Sequence, residues 1–468
     1  MIAAGKMREA DALIGAVLEA WARHPQADVV REGADAVSAA DLLARAGSLA
    51  AALRAQGVGR DDIVAIRAGR SAATFAQWLA VMLLGAACMS LDAAYPAARL
   101  AMMVEDARPR LLLAERAAWD ALPAPAGMLR CDPATLPATD DVPDVQAGTL
   151  AYVLFTSGSS GRPKGVAMRR AVLAHLVAWH RAHPRLGRPA RTLQFAPLSF
   201  DVSFQEVWST WATGGMLVLP TEDERRDPFA LLELLARAGV ERLFLPYVAL
   251  QALAEAFVAG GTLPAALRDV VTAGEALRVT PALRALFAAL PGCVLHNHYG
   301  PTETHVVTAW ELSGDPATWP DLPPIGRALP YVEVRVVTPG TCVDVAPGAE
   351  GELLLGGDCL AAGYIHRPEL TAERFVSDRG GRWYRTGDAA HMDADGVLTC
   401  HGRLDDQLKI DGFRVEPGEI EAVLGRDPRV AEAVVVGGGG AGLVAHVVPR
   451  EETVNGEALT ADLLGACR

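Results

Sequence analysis

Apolar positions along this chain fall into two rhythms. From Ser38 to Gly57, the residues Leu42, Leu43, Ala46, Leu49 and Leu53 recur at helical spacing. Asp62-Ile63-Val64-Ala65-Ile66 is instead a short, continuous apolar run. The first predicts an amphipathic helix and the second a buried strand. The alternation repeats, with a helix over Ala73 to Leu84, a strand over Cys88-Met89-Ser90-Leu91-Asp92, a helix over Arg99 to Asp106 and a strand over Arg110 to Ala114. It resumes from Arg191 to Ala309. Strands alternating with helices in this way predict parallel βαβ units.

Two regions break the rhythm. Pro123 to Val145, rich in Pro, Asp and Ala, reads as a surface connection. From Gly326 to Gly356 short strands alternate with Gly/Pro turns, which predicts an antiparallel, barrel-like piece. The last boundary falls near Gly402-Arg403-Leu404-Asp405, giving a large unit over 1–403 and a small one over 404–468. That remainder is short for an independent core, so it is expected to dock on the large unit. The fold class expected is thus α/β: a large N-terminal domain of parallel βαβ sheets with a small β-barrel-like piece, then a small, mobile α+β C-terminal domain.

Composition narrows the function. The chain has 468 residues, 51% hydrophobic and 21% charged, with a net charge of −13. That balance is ordinary for a globular protein and argues against a nonspecific partner for nucleic acid or for an anionic membrane. The longest apolar run, Trp78 to Met89, is too short to span a bilayer. The N-terminus carries no secretory h-region. Seven scattered cysteines, never spaced as CxxC, fit neither a disulfide framework nor a zinc site, and suit a reducing cytoplasm.

The apolar run Leu150-Ala151-Tyr152-Val153-Leu154-Phe155 feeds Thr156-Ser157-Gly158-Ser159-Ser160-Gly161-Arg162-Pro163-Lys164-Gly165. A strand leading into small hydroxyl and glycine residues with one cation suits phosphate, since glycines let backbone amides close on an anion. Pro163 separates it from the common P-loop; the alternative is a flexible surface loop. Asn297-His298-Tyr299-Gly300-Pro301-Thr302-Glu303 follows another apolar run, and Gly300-Pro301 forces a turn. Here Tyr299 is suited to stack on a base, Thr302 to donate to phosphate and Glu303 to hold Mg²⁺. A metal site from His296 and His298 is weaker, with no further ligand nearby. Tyr384-Arg385-Thr386-Gly387-Asp388, taken to end a strand, offers a carboxylate to a ribose diol, or forms a plain turn. Gly402 to Gly412 mixes alternating charge with apolar residues and runs into a helix start at Arg414 to Glu421.

These segments, in order, resemble the adenylation domains of nonribosomal peptide synthetases, within the adenylate-forming superfamily. The likeness spans about residues 35 to 450. It also takes in Leu91 to Pro96, Phe200-Asp201-Val202-Ser203, Gly351 to Gly357 and Gly363-Tyr364. The resemblance implies that the loop from Thr156 through Ser157, Gly158, Ser159, Ser160 and Gly161 to Lys164 holds the phosphates of ATP. It implies that Tyr299 stacks on adenine, that Asn297 with Gly274, Glu275 and Ala276 lines the base site, and that Asp388 binds ribose. Glu303 holds Mg²⁺, Arg403 approaches the nucleotide and Asp405 is the hinge. Lys409 and Gly412 belong to the face used when the product passes to the phosphopantetheine thiol of a carrier protein.

By the same resemblance, Asp201 pairs with the α-ammonium of an amino acid; the alternative is a cap on the helix that follows. The pocket becomes Asp201, Val202, Gln205, Phe244, Val271, Ala273, His298, Val306 and Val307. The set is similar to the family's proline pocket, with pipecolate as the expected secondary substrate. Gln205 and His298 are placed to bond each other or Asp201. Other readings are an acyl- or aryl-CoA ligase of the superfamily, and a binding homologue with impaired catalysis. Lysine occurs only at 6, 164 and 409, and the chain stops at Leu463 to Arg468, before the family's C-terminal lysine loop. The expectation is a truncated small domain that binds both substrates and adenylates slowly.

Overall fold

The computed structural model describes residues 11–466 except 68, 120–121, 123–126, 137–143, 159–161, 411–412, 439–441 and 452–455. Among the described residues, the helices and strands expected from Ser38 to Ala114 form within a residue or two of their sequence positions, whereas the helix expected to start at Arg414 begins at Pro417, after the strand Phe413–Val415. Ser38 caps the helix Ala39–Ala55, its hydroxyl accepting from Asp41 N, and Ser71 caps Ala72–Leu83 in the same manner. The apolar run at Trp78 to Met89 is indeed a core helix passing into the strand Ala87–Ser90.

Two sheets carry most of the segments singled out in the sequence. One has seven strands in the order Gly363–Tyr364, Lys164–Arg169, Leu150–Thr156, Ala87–Ser90, Ile63–Arg67, Leu111–Ala114, Leu129–Cys131. Its central strands pair in parallel, as βαβ units require. Leu150–Thr156 and Lys164–Arg169 are antiparallel, however, with Thr156 opposite Lys164. The glycine- and serine-rich segment therefore joins two antiparallel strands.

The other sheet has nine strands, and its run Arg242–Pro246, Asp269–Ala273, Val294–Tyr299 is parallel. Between the sheets packs the helix Asp201–Ala212, whose Phe204 stacks on Trp78 at 4.1 Å and lies 4.3 Å from Tyr152. A fully buried aromatic seam thus fixes the helix that carries Asp201.

The barrel-like expectation holds. Val332–Val337, Gly351–Gly357, Gly381–Met392, Phe375–Asp378 and Leu398–Arg403 make a five-stranded, wholly antiparallel sheet. One detail differs from the sequence reading. Tyr384 to Asp388 does not end a strand but sits inside the twelve-residue strand Gly381–Met392. The pairing register shifts there, and Gly387 takes φ +71°. Gly and Asp serve bulges as readily as turns; the bulge takes Asp388 out of register with Gly351–Gly357, while on its other side Asp388 still pairs with Arg403.

After Arg403 come a hairpin of Leu408–Ile410 and Phe413–Val415, the helix Pro417–Leu424, a second hairpin of Val430–Gly437 and Leu443–Pro449, and the helix Gly456–Ala466. Leu424, Val430, Val435, Leu459 and Leu463 form a small core of their own. Glu419 meets Arg99, 320 positions earlier in the chain, at 3.0 Å.

Candidate functional site

A cavity of about 740 Å³ runs between the sheets. At one end the chain enters the helix Asp201–Ala212 through Phe200 in extended conformation. Asp201 is the first helical residue, and its Oδ1 accepts from Val202 N at 2.8 Å. A carboxylate in a first turn is favoured by the helix dipole. Val202 and Gln205, one and four positions on, share its face and line the cavity. Opposite them, Phe244 and Val271 are register partners on adjacent strands, and Pro246 pairs with Ala273. Leu186, Phe244 and Val271, with Trp179 and Val202, make a separate apolar cluster.

Gly300 closes this end. A Cβ there would lie 1.7 Å from His305 O, so only glycine lets the chain fold back and bring Val306 to the cavity. His305, with φ +58°, is buried beside Asp201, and burial holds its pKa below the usual value. Behind Gln205 sit His298 and His180, both fully buried, and burial holds both well below 6.5. Among the described residues, Asp201, Val202, Gln205, Phe244, Val271, Ala273 and Val306 line the cavity at this end and carry no cation.

The other end is charged. Tyr299 Oη donates to Asp388 Oδ2, and Arg403 Nη1 donates to Asp388 Oδ1 at 3.0 Å. Burial, then the Asp388 charge, pushes the Tyr299 phenol well up. Arg403 also donates twice to Asp405, at 2.6 and 2.8 Å. Burial works to raise the Asp405 carboxyl, yet the Arg403 contact leaves it below its ordinary value. Gly387 makes room for this chain of charges, since a Cβ there would lie 2.8 Å from Arg403 Nη2.

A second buried set surrounds Glu303. Lys164 Nζ lies 3.6 Å from its Oε1, and Tyr364 Oη donates to the same oxygen at 2.7 Å. Lys164 also sits 5.0 Å from the centre of the Tyr364 ring. In the loop before Lys164, Gly158 could carry no side chain, because a Cβ would meet Arg162 O at 2.2 Å.

One sequence profile, that of the AMP-binding enzymes, matches residues 17–365. The chain belongs to the AMP-binding enzyme family. It is 38% identical over 462 residues to novobiocin biosynthesis protein H of Streptomyces niveus, spanning 93% of this chain and 74% of that protein. CymA of Salinispora arenicola, named as a probable nonribosomal peptide synthetase, is 43% identical over 434 residues, which cover 90% of this chain. The chain spans only 5% of CymA, and 8% of each of two linear gramicidin synthase subunits. Among solved structures, an artificially fused adenylation–carrier-protein di-domain, NpsA–ThdA, from Klebsiella oxytoca superposes with a TM-score of 0.84 at 26% identity, covering 98% of this chain and 91% of that one. The fold is that of an adenylation domain of the nonribosomal peptide synthetase type.

Within this adenylation domain, the expected site residues divide. Thr156, Ser157, Asp201, Val202, Gln205, Phe244, Val271, Ala273, Gly274, Thr302, Val306, Asp388 and Arg403 all line one cavity. His298 lies behind Gln205, Val307 is fully buried beside the wall, and Asn297 donates to Pro324 O at 2.8 Å. Glu275 accepts from Val248 N at 3.2 Å, and Ala276 is exposed. Lys409 sits opposite Arg414 in the hairpin. Ser159, Ser160, Gly161 and Gly412 lie outside the described residues. Gln205 bonds His298 and His180 but not Asp201, its amide being turned toward the two rings.

Other residues at the cavity carry no motif. Arg70 reaches it by donating to Gln194 Oε1 at 2.6 Å and to the carbonyls of Phe195 and Ala196. Arg99 lines it too, and so does Gln407, which belongs to the segment Gly402 to Gly412. The only sequence signal of Arg70 and Arg99 is a cation near apolar residues.

The residues fit a nucleotide. Gly274 lines the cavity with φ +91°, and where a side chain would stand there is open space for a flat base. They fit Mg²⁺ only together with that nucleotide. Among the described residues, no three His, Cys, Asp or Glu side chains come together to hold a metal, so Glu303 would supply the single protein carboxylate. Nor is any helix among them long and apolar enough to cross a membrane.

Proposed function

We propose that this chain activates an amino acid, preferentially proline, by ATP-dependent adenylation and passes it to the phosphopantetheine thiol of a carrier protein. The observation that carries the reading is Asp201. It is the carboxylate at the head of a pocket whose other walls are neutral, and that pocket opens into the cavity lined by Thr302, Asp388 and Arg403. A carboxylate facing an apolar pocket costs several kcal/mol unless a cation meets it, which favours an α-ammonium over a plain acid. Stiff Val202, Val271 and Val306 with Phe244 leave space for a compact ring.

In the reaction, the amino-acid carboxylate attacks the α-phosphorus of ATP. A new P–O bond forms, the bond to the bridging oxygen breaks, and pyrophosphate leaves. Lys164, Thr302 and the amides of the Thr156–Gly161 loop would bind the phosphates, with Asp388 on the ribose and Tyr299 against the base. Glu303 would hold Mg²⁺, which would supply charge neutralisation for the phosphates. The protein's part is positioning and electrostatics. The division at Asp405 into a large and a small unit, and a role for Lys409 in transfer to the thiol, belong to this proposal.

The test is amino-acid-dependent ATP–pyrophosphate exchange with proline, pipecolate, the other amino acids and aryl acids, with coenzyme A as an added acceptor. Proline should give the highest kcat/KM. Pipecolate should follow, since one methylene in an apolar pocket is worth only about 1–3 kcal/mol. A preference for an aryl acid with coenzyme A would overturn the reading.

A further inference from the structure

Gln205 carries the polar atoms of the pocket floor, and its orientation is set from behind. Its Nε2 lies 2.9 Å from His180 Nε2 and 3.3 Å from His298 Nδ1. An amide nitrogen only donates, so both ring nitrogens must accept. Each imidazole is then neutral and carries its proton on the other nitrogen. Burial favours that neutral form in both rings, and His183, His296 and Arg242 add to the effect at His180. At His298 the like charges of His296, His183 and His305 act the same way, and Glu311 opposes them.

His298 stands on the strand Val294–Tyr299, beside the pocket. His180 does not touch the cavity at all. It comes from the last turn of Arg170–Ala182, a different helix, and has no exposed surface. Its ring is wedged 5.0 Å from Trp179 and 6.4 Å from Phe244. A glutamine side chain has three rotatable bonds, and one acceptor at 3.3 Å leaves it free to swing. Two acceptors on separate elements consume both of its N–H bonds and fix it. The carbonyl Oε1 has no hydrogen-bond partner among the described residues.

We propose that His180 is a positioning residue for substrate selection, which acts through Gln205 to hold the pocket floor at a fixed depth. This rests on the amino-acid-activating reading above. Side chains are then measured against a floor pinned from a second helix, and releasing the pin blurs the choice between ring sizes.

The experiment uses the full chain and the amino acid that the wild type exchanges best. His180→Phe keeps the ring volume and removes the acceptor. Its amino-acid KM should rise about tenfold, the usual scale for one buried hydrogen bond, while kcat and the KM for ATP stay within twofold. The preference for proline over pipecolate should narrow. His180→Gln, which reaches the amide with its own oxygen, should restore both. In a Gln205→Leu background, His180→Phe should add nothing, because the two act as a unit.

The proposal is overturned if the amino-acid KM does not change, if the KM for ATP rises equally, or if the two substitutions are additive. Should His180→Phe fail to fold, His180→Gln against His180→Asn decides. Only glutamine reaches Gln205, so equal selectivity in the two contradicts the proposal. Failure of the amino-acid reading itself is seen separately, in a wild type that exchanges with no amino acid.

Discussion

At the Asp201 end of the cavity, the proposed amino-acid site, the buried polar groups behind the wall are neutral and bonded to one another through a single amide. At the Asp388 end, the proposed nucleotide site, they are charged and paired in chains: Tyr299 to Asp388 to Arg403 to Asp405, and Tyr364 and Lys164 to Glu303. The first end offers shape and one carboxylate, so it selects by fit. The second offers charges already compensated in the protein, so a nucleotide there exchanges partners instead of meeting bare charges. That difference predicts two sets of substitutions whose effects do not cross.

The largest effect should come from Asp201→Ala. Removing one member of a desolvated charge pair costs about 2–5 kcal/mol, so kcat/KM for the amino acid should fall at least thirtyfold while the KM for ATP holds. Steady-state exchange with each substrate varied in turn checks this. If ATP suffers as much, Asp201 organises both ends and the contrast fails.

Next is Tyr299→Phe, which takes a hydrogen bond from the buried Asp388 carboxylate. Bonds to charged groups are worth about 1.5–3 kcal/mol, so the KM for ATP should rise roughly tenfold or more with the amino-acid KM unchanged. Failure to see the shift would mean that Arg403 alone holds Asp388 in place.

The neutral end also has a pH signature. Burial keeps His180, His298 and His305 below their ordinary value. The unfolded chain therefore takes up protons below about pH 6.5 that the folded chain refuses. Stability should fall as pH drops through that window, by up to about 1.4 kcal/mol per unit for each histidine. His296 behaves oppositely. Its burial is outweighed by Asp269 and Glu311, so its contribution is present below about pH 6.5 and is lost as pH rises through its raised folded pKa. Denaturant unfolding between pH 5 and 7.5 should show the acid-side slope, and His180→Phe should flatten it. An unchanged slope would mean that His180 is charged in the fold.

The smallest effect belongs to the contact between the C-terminal segment and the cavity. Arg99 and Glu419 are part-exposed and 3.0 Å apart. Such a pair is worth about 0–1 kcal/mol, so Glu419→Gln should move the unfolding midpoint very little. A large loss would make this contact a structural anchor.

The two ends were also unequally legible in the sequence. Asp201, Val202, Gln205, Phe244, Val271 and Ala273 were reached through the resemblance to the adenylation family, whose motifs mark their places along the chain, and not through periodicity. His180 was silent, because a single histidine on an amphipathic helix says nothing about an amide on another. The Arg99–Glu419 pair spans 320 residues, and local patterns carry no information at that range. Gly387-Asp388 misled in a different way, since the same residues suit a turn or a bulge, and only the pairing of Gly381–Met392 with its neighbours decides. Likewise the alternation predicted parallel sheets, while the loop residues alone did not reveal an antiparallel hairpin at the phosphate loop.

The most direct test of the account is a crossed measurement of two Michaelis constants on two variants, Gln205→Leu and Tyr299→Phe. The account predicts that Gln205→Leu raises only the KM for the amino acid and Tyr299→Phe raises only the KM for ATP. If either substitution raises both constants alike, the two ends of the cavity are one electrostatic unit and the central contrast is wrong.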